Sequence, residues 1–355
     1  MSSGELRDLP LRAHHPTPMV RRALTELEPR PPFPIVDAHN HLGRWLTGEW
    51  SVPDVGGLIA QMDAWGVEAV VNLDGMWGDE LEANLDRYDR AHPARFATFA
   101  QWDRELFPRD DWVELAAGVA DSARRGARGL KVWKDLGLHL RDAAGALVMP
   151  DDRRLDPVWD AVATAQIPVT IHVADPVAFF EPLDARNERL EELLENPDWW
   201  FGDRSRFPSF ATIIGSLEAL IARRTDVTWI GAHVLCVAED VAWIGRMLDT
   251  YPNVYADVAA RIAELGRVPR ATRELMMPHS DRFLFGTDAF PPEAAVYEVH
   301  RRFFETADEH FPYDADPDGA PSQGRWTISG LDLPADALER LYATNARRLI
   351  LGIGS

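Results

Sequence analysis

The chain of 355 residues has one cysteine, Cys236, which rules out a disulfide within it. Basic residues are few beside acidic ones. Lys plus Arg number 37 against 57 Asp plus Glu, and the formal net charge of -20 argues against nucleic acid and against an anionic membrane surface as partners. No apolar run approaches the length of a membrane span, and the polar start MSSGELRDLPLRAHHP lacks the apolar core of a signal peptide. These absences lead to the expectation of a soluble, cytoplasmic protein that acts on a small molecule. Also missing are a glycine-rich phosphate loop after the first strand pattern, a motif for a serine or cysteine nucleophile, an internal repeat, and a linker that would divide the chain into two cores. Cys236 itself reads as buried packing rather than as a catalytic thiol.

With 46% hydrophobic residues the chain can bury a sizeable core. Eight short β-rich runs, at 34–41, 68–75, 95–102, 128–135, 168–175, 227–234, 253–260 and 281–288, alternate with segments of helical periodicity such as VGGLIAQMDAWG and FATIIGSLEALIARR. This alternation predicts parallel strands joined by helical crossovers, and eight is the number that closes an α/β (β/α)8 TIM barrel. A doubly wound open sheet is the alternative, weakened by the missing phosphate loop. The expected organisation is an N-terminal extension, 1–32, followed by a single barrel domain, 33–355, with insertions at 137–150, 176–209 and 312–326.

In barrels of this kind the reacting groups sit at the C-terminal ends of the strands. The first run, IVDAHNHLG (35–43), carries two histidines there, and strand alternation predicts that Asp37, His39 and His41 share one face while Val36, Ala38 and Asn40 share the other. The fourth run carries Lys131, the fifth His172, the sixth His233, and the eighth ends in Asp288. Thus four of the eleven histidines fall at strand ends; His14, His15, His92, His139, His279, His300 and His310 have ordinary places in loops, helices and the N-terminal segment. Imidazole nitrogens with a carboxylate form a donor set suited to zinc or a related divalent ion, with a position left open for water. A helix N-cap is the plain alternative for Asp288.

HNH on strand one, the lysine of GLKVWK, the histidines of TIHVADP and IGAHV and the aspartate of FGTDAF, in this order, resemble the amidohydrolase superfamily. The nearest branch is the amidohydrolase-related group that includes aminocarboxymuconate-semialdehyde decarboxylase. The resemblance spans most of residues 33–350. It implies that His39, His41, His172 and Asp288 are metal ligands, with zinc the first candidate and manganese the second, and that His233 faces the substrate as an acid or polarising group. Asp288 is also the candidate proton acceptor. In some amidohydrolases a lysine on this strand is carboxylated and bridges two metals, in others not. Lys131, which alternation turns into the barrel together with Trp133, could be such a bridge, a cation for an anionic substrate, or a buried partner of an acid.

Trp77, Trp102 and Trp133 could wall a pocket for a flat substrate or could be core packing. Arg261 could clamp a carboxylate, or form a surface ion pair. The insertion after strand five is placed as a lid, or as a contact between two copies in a homodimer. The leading functional reading is a metal-dependent hydrolase of a small anionic amide, lactone or related carbonyl compound. The alternative is a nonhydrolytic metal-dependent decarboxylase of a small aromatic or unsaturated acid, and a barrel that only binds comes last.

Overall fold

The computed structural model describes residues 6–10, 13–14, 23–314 and 322–353. His15 and parts of the expected N-terminal extension and of the 312–326 insertion lie outside the described residues. All eight expected strands are present: β1 (Ile35–Asn40), β2 (Val67–Asn72), β3 (Phe96–Ala100), β4 (Gly129–Val132), β5 (Val169–Ile171), β6 (Trp229–Gly231), β7 (Val254–Asp257) and β8 (Phe283–Leu284). Every neighbouring pair from β1–β2 to β7–β8 is parallel. The barrel closes where the Ala38 N–H donates to the Phe285 carbonyl and the Asp288 N–H to the His39 carbonyl, both at 2.9 Å. The strands are shorter at their C-terminal ends than the sequence pattern suggests, because the chain leaves the ladder there to form the turns that carry the candidate site.

The crossovers are α1 (Val55–Trp65), α2 (Gly78–Leu85), α3 (Trp112–Arg125), α4 (Asp156–Ala165), α5 (Leu190–Glu195), α6 (Phe210–Arg223), α7 (Val241–Thr250), α8 (Pro269–Met276), α9 (Ala294–Glu305) and α10 (Ala335–Glu339). Side-chain caps mark several starts: Asp54, Asp111, Ser209 and Asp240 each accept a backbone N–H from the first turn of their helix. Such a cap contributes about 1 kcal/mol.

Strand alternation sorts the core into two shells. Val36, Ala38, Ala69, Val71, Ala97, Phe99, Ile230, Tyr255 and Leu284 face one another inside the barrel. Ile35, Val70, Leu130, Val132, Val169, Ile171, Trp229 and Val254 face the helices. The Phe99 ring occupies the barrel only because β4 starts with glycine: a Cβ on Gly129 would lie 2.3 Å from that ring. The chain after α10 continues in π-helical turns, and its Ala343, Ala346, Ile350 and Leu351 join the interior cluster, closing that end of the barrel. The opposite end is left for the site.

The insertion after β5 folds over that open end. Phe201 donates its N–H to the Phe179 carbonyl at 2.8 Å, tying its two limbs together. Buried Arg189 joins it to the chain after β7 through Glu264, and donates to Glu192 of α5 at 2.7 Å. Among the described residues no helix is long and apolar enough to cross a membrane.

Candidate active site

At the end of β1 the regular alternation fails. Asp37 pairs with Val70 and Asn40 with Asn72, so three steps of β1 oppose two of β2. The extra residue is a bulge, which turns the side chains beyond it to a different face. Asp37 therefore does not share a face with the imidazoles. It accepts hydrogen bonds from Thr287 Oγ1 at 2.7 Å and from the Tyr297 hydroxyl at 2.9 Å, and Asn40 lies on the same side. Burial pushes its carboxyl up to about 6, although Asn40, Thr287 and Tyr297 work against the shift.

Beyond the bulge, His39 and His41 both point into the open end, each held by a carboxylate at the nitrogen facing away from the centre. His39 Nδ1 lies 2.9 Å from Asp257 Oδ2, and His41 Nδ1 lies 2.7 Å from Asp74 Oδ1. His233 Nδ1 lies 2.9 Å from the Ala259 carbonyl. A carbonyl or carboxylate at Nδ1 requires the proton there, so in each neutral ring Nε2 carries the free lone pair.

His233 is positioned by an unusual turn. His233, Val234, Leu235 and Cys236 have φ of 56°, 57°, 60° and 61° in succession, a left-handed turn built without glycine. Each such residue costs roughly 1–2 kcal/mol. The turn is anchored by the His233 N–H, which donates to Asp257 Oδ1 at 3.0 Å, so one carboxylate at the end of β7 sets both His39 and His233.

Asp288, itself at φ 62°, completes the group. Its carboxylate is 3.6 Å from His39 Nε2, 3.2 Å from His41 Nε2 and 4.0 Å from His233 Nε2. It does not cap the following helix, because α9 begins at Ala294 behind Glu293. One donor atom each from His39, His233 and Asp288 lies within 4.8 Å of the others. His172 stands at the edge: its ring centre is 4.4 Å from that of His233, and its buried Nε2, 3.4 Å from Asp175 Oδ1, makes no hydrogen bond to the described residues.

Burial is the largest single influence on the charge states of His39, His41, Lys131, His172, His233 and Asp288. It holds His39 and His233 well below the usual imidazole range and lowers His172 to about 4, helped by neighbouring cations and imidazoles. His41 is the exception: burial is outweighed by Asp74 and Asp288, which raise it to about 9. Asp288 stays well below the usual carboxylate range because His39, His41 and His233 outweigh its burial. Lys131 does point inward, its Nζ 3.3 Å from His39 Nε2 and 5.3 Å from the centre of the Trp133 ring, and burial lowers its pKa. Among the described residues it has no acid partner.

The site opens into a cavity of about 900 Å³ lined by His41, His172, His233, Asp288, Trp133 and Arg261 and, towards solvent, by Trp45, Leu46, Phe179, Trp199 and Phe290. Two of the expected wall residues are elsewhere. Trp102 is 1% exposed and packs 5.3 Å from Phe107 and 6.0 Å from Trp159, centre to centre, in the helical layer. Alternation from the inward Phe99 puts it on that outer side. Trp77 lies where the chain turns into α2, away from the cavity lining. The residues that sequence reasoning overlooked are the orienting carboxylates Asp74 and Asp257 and the rim residues Trp45, Leu46 and Phe290. Both carboxylates stand alone in apolar runs, NLDG and YADV, at strand ends, which is the signal that marks them.

A family profile described as amidohydrolase matches residues 36–350. No curated protein matches. The chain is similar to the structure of 2,6-dihydroxybenzoate decarboxylase from Rhizobium, at 17% identity and a TM-score of 0.55, over 91% of this chain and 100% of that one. It is also similar to 5-carboxyvanillate decarboxylase from Sphingomonas paucimobilis, at 13% identity and a TM-score of 0.52, over 90% and 99%. A third similar structure is dihydroxybenzoic acid decarboxylase from a Polaromonas species with bound manganese and the inhibitor 2-nitroresorcinol, at 15% identity and a TM-score of 0.52, over 90% and 97%. At these identities the structures share the fold. The family profile runs across the barrel from β1 to the C-terminal helix, and the chain belongs to the amidohydrolase family.

Proposed function

We propose that this protein is a metal-dependent carboxy-lyase that removes carbon dioxide from a small aromatic or unsaturated carboxylic acid. The observation that carries this reading is Arg261, buried in the cavity wall, whose one hydrogen bond among the described residues goes to the Ala260 carbonyl at 2.8 Å. Among the described residues no carboxylate lies within ion-pair distance of it. A buried guanidinium with no acid in ion-pair contact calls for an anionic ligand, and the flat side chains that line the same cavity suit a planar one. Decarboxylases among the similar folds add support by analogy. Hydrolysis, the leading reading of the sequence, leaned on Lys131 as a bridge between two metals, and the contact of its amine with His39 lends that role no support.

The donors fit a divalent ion. His39 and His233 are neutral with the lone pair on Nε2, that of His39 facing Lys131 Nζ, Asp288 is ionised, and beside them stand His172 and, once it gives up a proton, His41. Imidazole and carboxylate suit zinc and manganese alike, and manganese is the ion in the Polaromonas enzyme. Such an ion, when bound, supplies a Lewis acid that polarises substrate oxygen. Arg261 holds the acid group, and Trp133 packs against the ring. The bond from the carboxyl carbon to its neighbour breaks, its electron pair stays on that neighbour, and a proton takes the vacated place. Asp288, with 27% of its side chain exposed, is placed to accept a proton from the substrate and return it. His233 presents an acceptor nitrogen to the same space.

Incubation with single-ring hydroxybenzoic acids in deuterated water tests the reading. Headspace carbon dioxide, with one solvent deuterium in the product, is the expected result. Uptake of labelled solvent oxygen without carbon dioxide would instead establish a hydrolase.

A further inference from the structure

We infer that the substrate carries a carboxylate and a second ring or comparably large apolar unit beyond the part that reacts. The acid group of this inference rests on the carboxy-lyase reading; the second unit rests on the cavity alone. A single benzene ring fills a cavity of about 150 Å³. The space here is about 900 Å³, several times that volume.

The surplus space is apolar at its outer end. Among the described residues, the tryptophans and phenylalanines more than a third exposed are Trp45 at 38%, Trp199 at 39% and Phe290 at 53%, and all three line this one cavity. Leu46, 43% exposed, lies beside them. Converging exposed aromatics on an otherwise polar, acidic surface mark a contact site. They are also held in place. Trp45 packs 4.8 Å from Trp133 with the Arg104 guanidinium 4.7 Å from its ring centre, and Trp199 stacks on Phe179 with Lys134 Nζ 5.1 Å away. Ordered rings lose little freedom on binding, which favours a flat apolar ligand.

The charges leave no place for an acid group on the outer part of the substrate. Three cations line the cavity, and two already have carboxylates: Arg104 Nε is 2.5 Å from Asp135 Oδ2, and Lys134 Nζ is 2.5 Å from Asp175 Oδ2. Among the described cations that line the cavity, Arg261 is the one left to receive an anion away from the metal position. At the outer end a further carboxylate would meet the aromatic rim or an occupied cation.

The test compares salicylate with its two-ring relative 2-hydroxybiphenyl-3-carboxylate by titration calorimetry, with carbon dioxide release measured in parallel, on the protein as purified and on a Trp45→Ala/Trp199→Ala variant. The expected result is at least about tenfold tighter binding of the two-ring acid, a ratio that falls to within about threefold of one in the variant. Equal or tighter binding of salicylate by the parent protein overturns the inference. So does a preference that survives in the variant, or a variant whose only change is dissociation of a dimer, which would make the rim a contact between copies. If the preference holds while neither acid, nor the single-ring panel, releases carbon dioxide, the carboxy-lyase reading fails and the second-ring inference stands. Release from salicylate without the preference gives the converse.

Discussion

Asp257 Oδ2 receives His39 Nδ1 at 2.9 Å while its Oδ1 receives the His233 N–H at 3.0 Å, so one buried carboxylate orients two imidazoles at the mouth of the barrel. Asparagine in its place can accept only through one oxygen, and its amide presents a donor to the other partner. Asp257→Asn is expected to fold but to weaken metal affinity by about 10- to 100-fold, the scale seen when a partner behind a ligand is lost. Metal content after dialysis against graded chelator measures it. Unchanged retention together with full activity would remove Asp257 from the site.

Asp288 offers a sharper separation of roles. Because it does not cap α9, its replacement by asparagine has no cap to remove, and the thermal midpoint of the metal-free protein should change little. Turnover should fall on the order of a hundredfold or more, as for loss of a positioned proton acceptor. Rate and melting curve on the same preparation settle the matter. A clear loss of stability with undiminished rate would show a structural carboxylate.

How much of this was legible in the sequence depends on where each residue stands relative to a regular ladder. Lys131 could be placed inside the barrel because β4 pairs without interruption with β5. The same reasoning misplaced Asp37, since the bulge in β1 comes from pairing with β2 and leaves no mark on β1 itself. Trp102 shows the opposite case. Counting outward from Phe99 assigns it to the helical layer, and its proximity to a strand end was the misleading cue. His233 could be placed at the end of the sixth strand, but the left-handed turn that carries it was beyond reach, because HVLC has no glycine to announce positive φ. The lid aromatics are close to the site only through the fold of a long insertion, which no periodicity describes.

Lys131 distinguishes one ion from two. Its amine is buried against His39 with no carboxylate in ion-pair contact among the described residues, an arrangement in which a charge is costly. Lys131→Met is expected to keep one divalent ion per chain, the same as the parent, and to be no less stable. Elemental analysis of both proteins after exhaustive dialysis checks this. A parent with two ions, one of them lost in the variant, would restore the bridging lysine and with it the case for hydrolysis.

His300 predicts a pH dependence that is independent of the catalytic groups. Its Nδ1 lies 2.8 Å from the Val296 carbonyl, its buried Nε2 has no partner among the described residues, and its ring sits 5.6 Å from Phe285, centre to centre. Burial lowers its pKa from 6.5 to about 4. Between those values the unfolded chain holds the proton and the folded chain does not, so protonation favours unfolding. The stability tied to a neutral His300 is fully present above pH 6.5, is lost as the pH falls towards about 4, and declines no further below that. A shift of this size corresponds to roughly 3 kcal/mol across the window. His300→Leu removes the titration while keeping an apolar side chain of similar bulk, so between those limits the parent should lose about that much more stability than the variant. Denaturant midpoints at closely spaced pH values give the difference, and other titrating groups cancel in the comparison. Parallel curves for the two proteins would mean that His300 is protonated in the fold or reaches solvent.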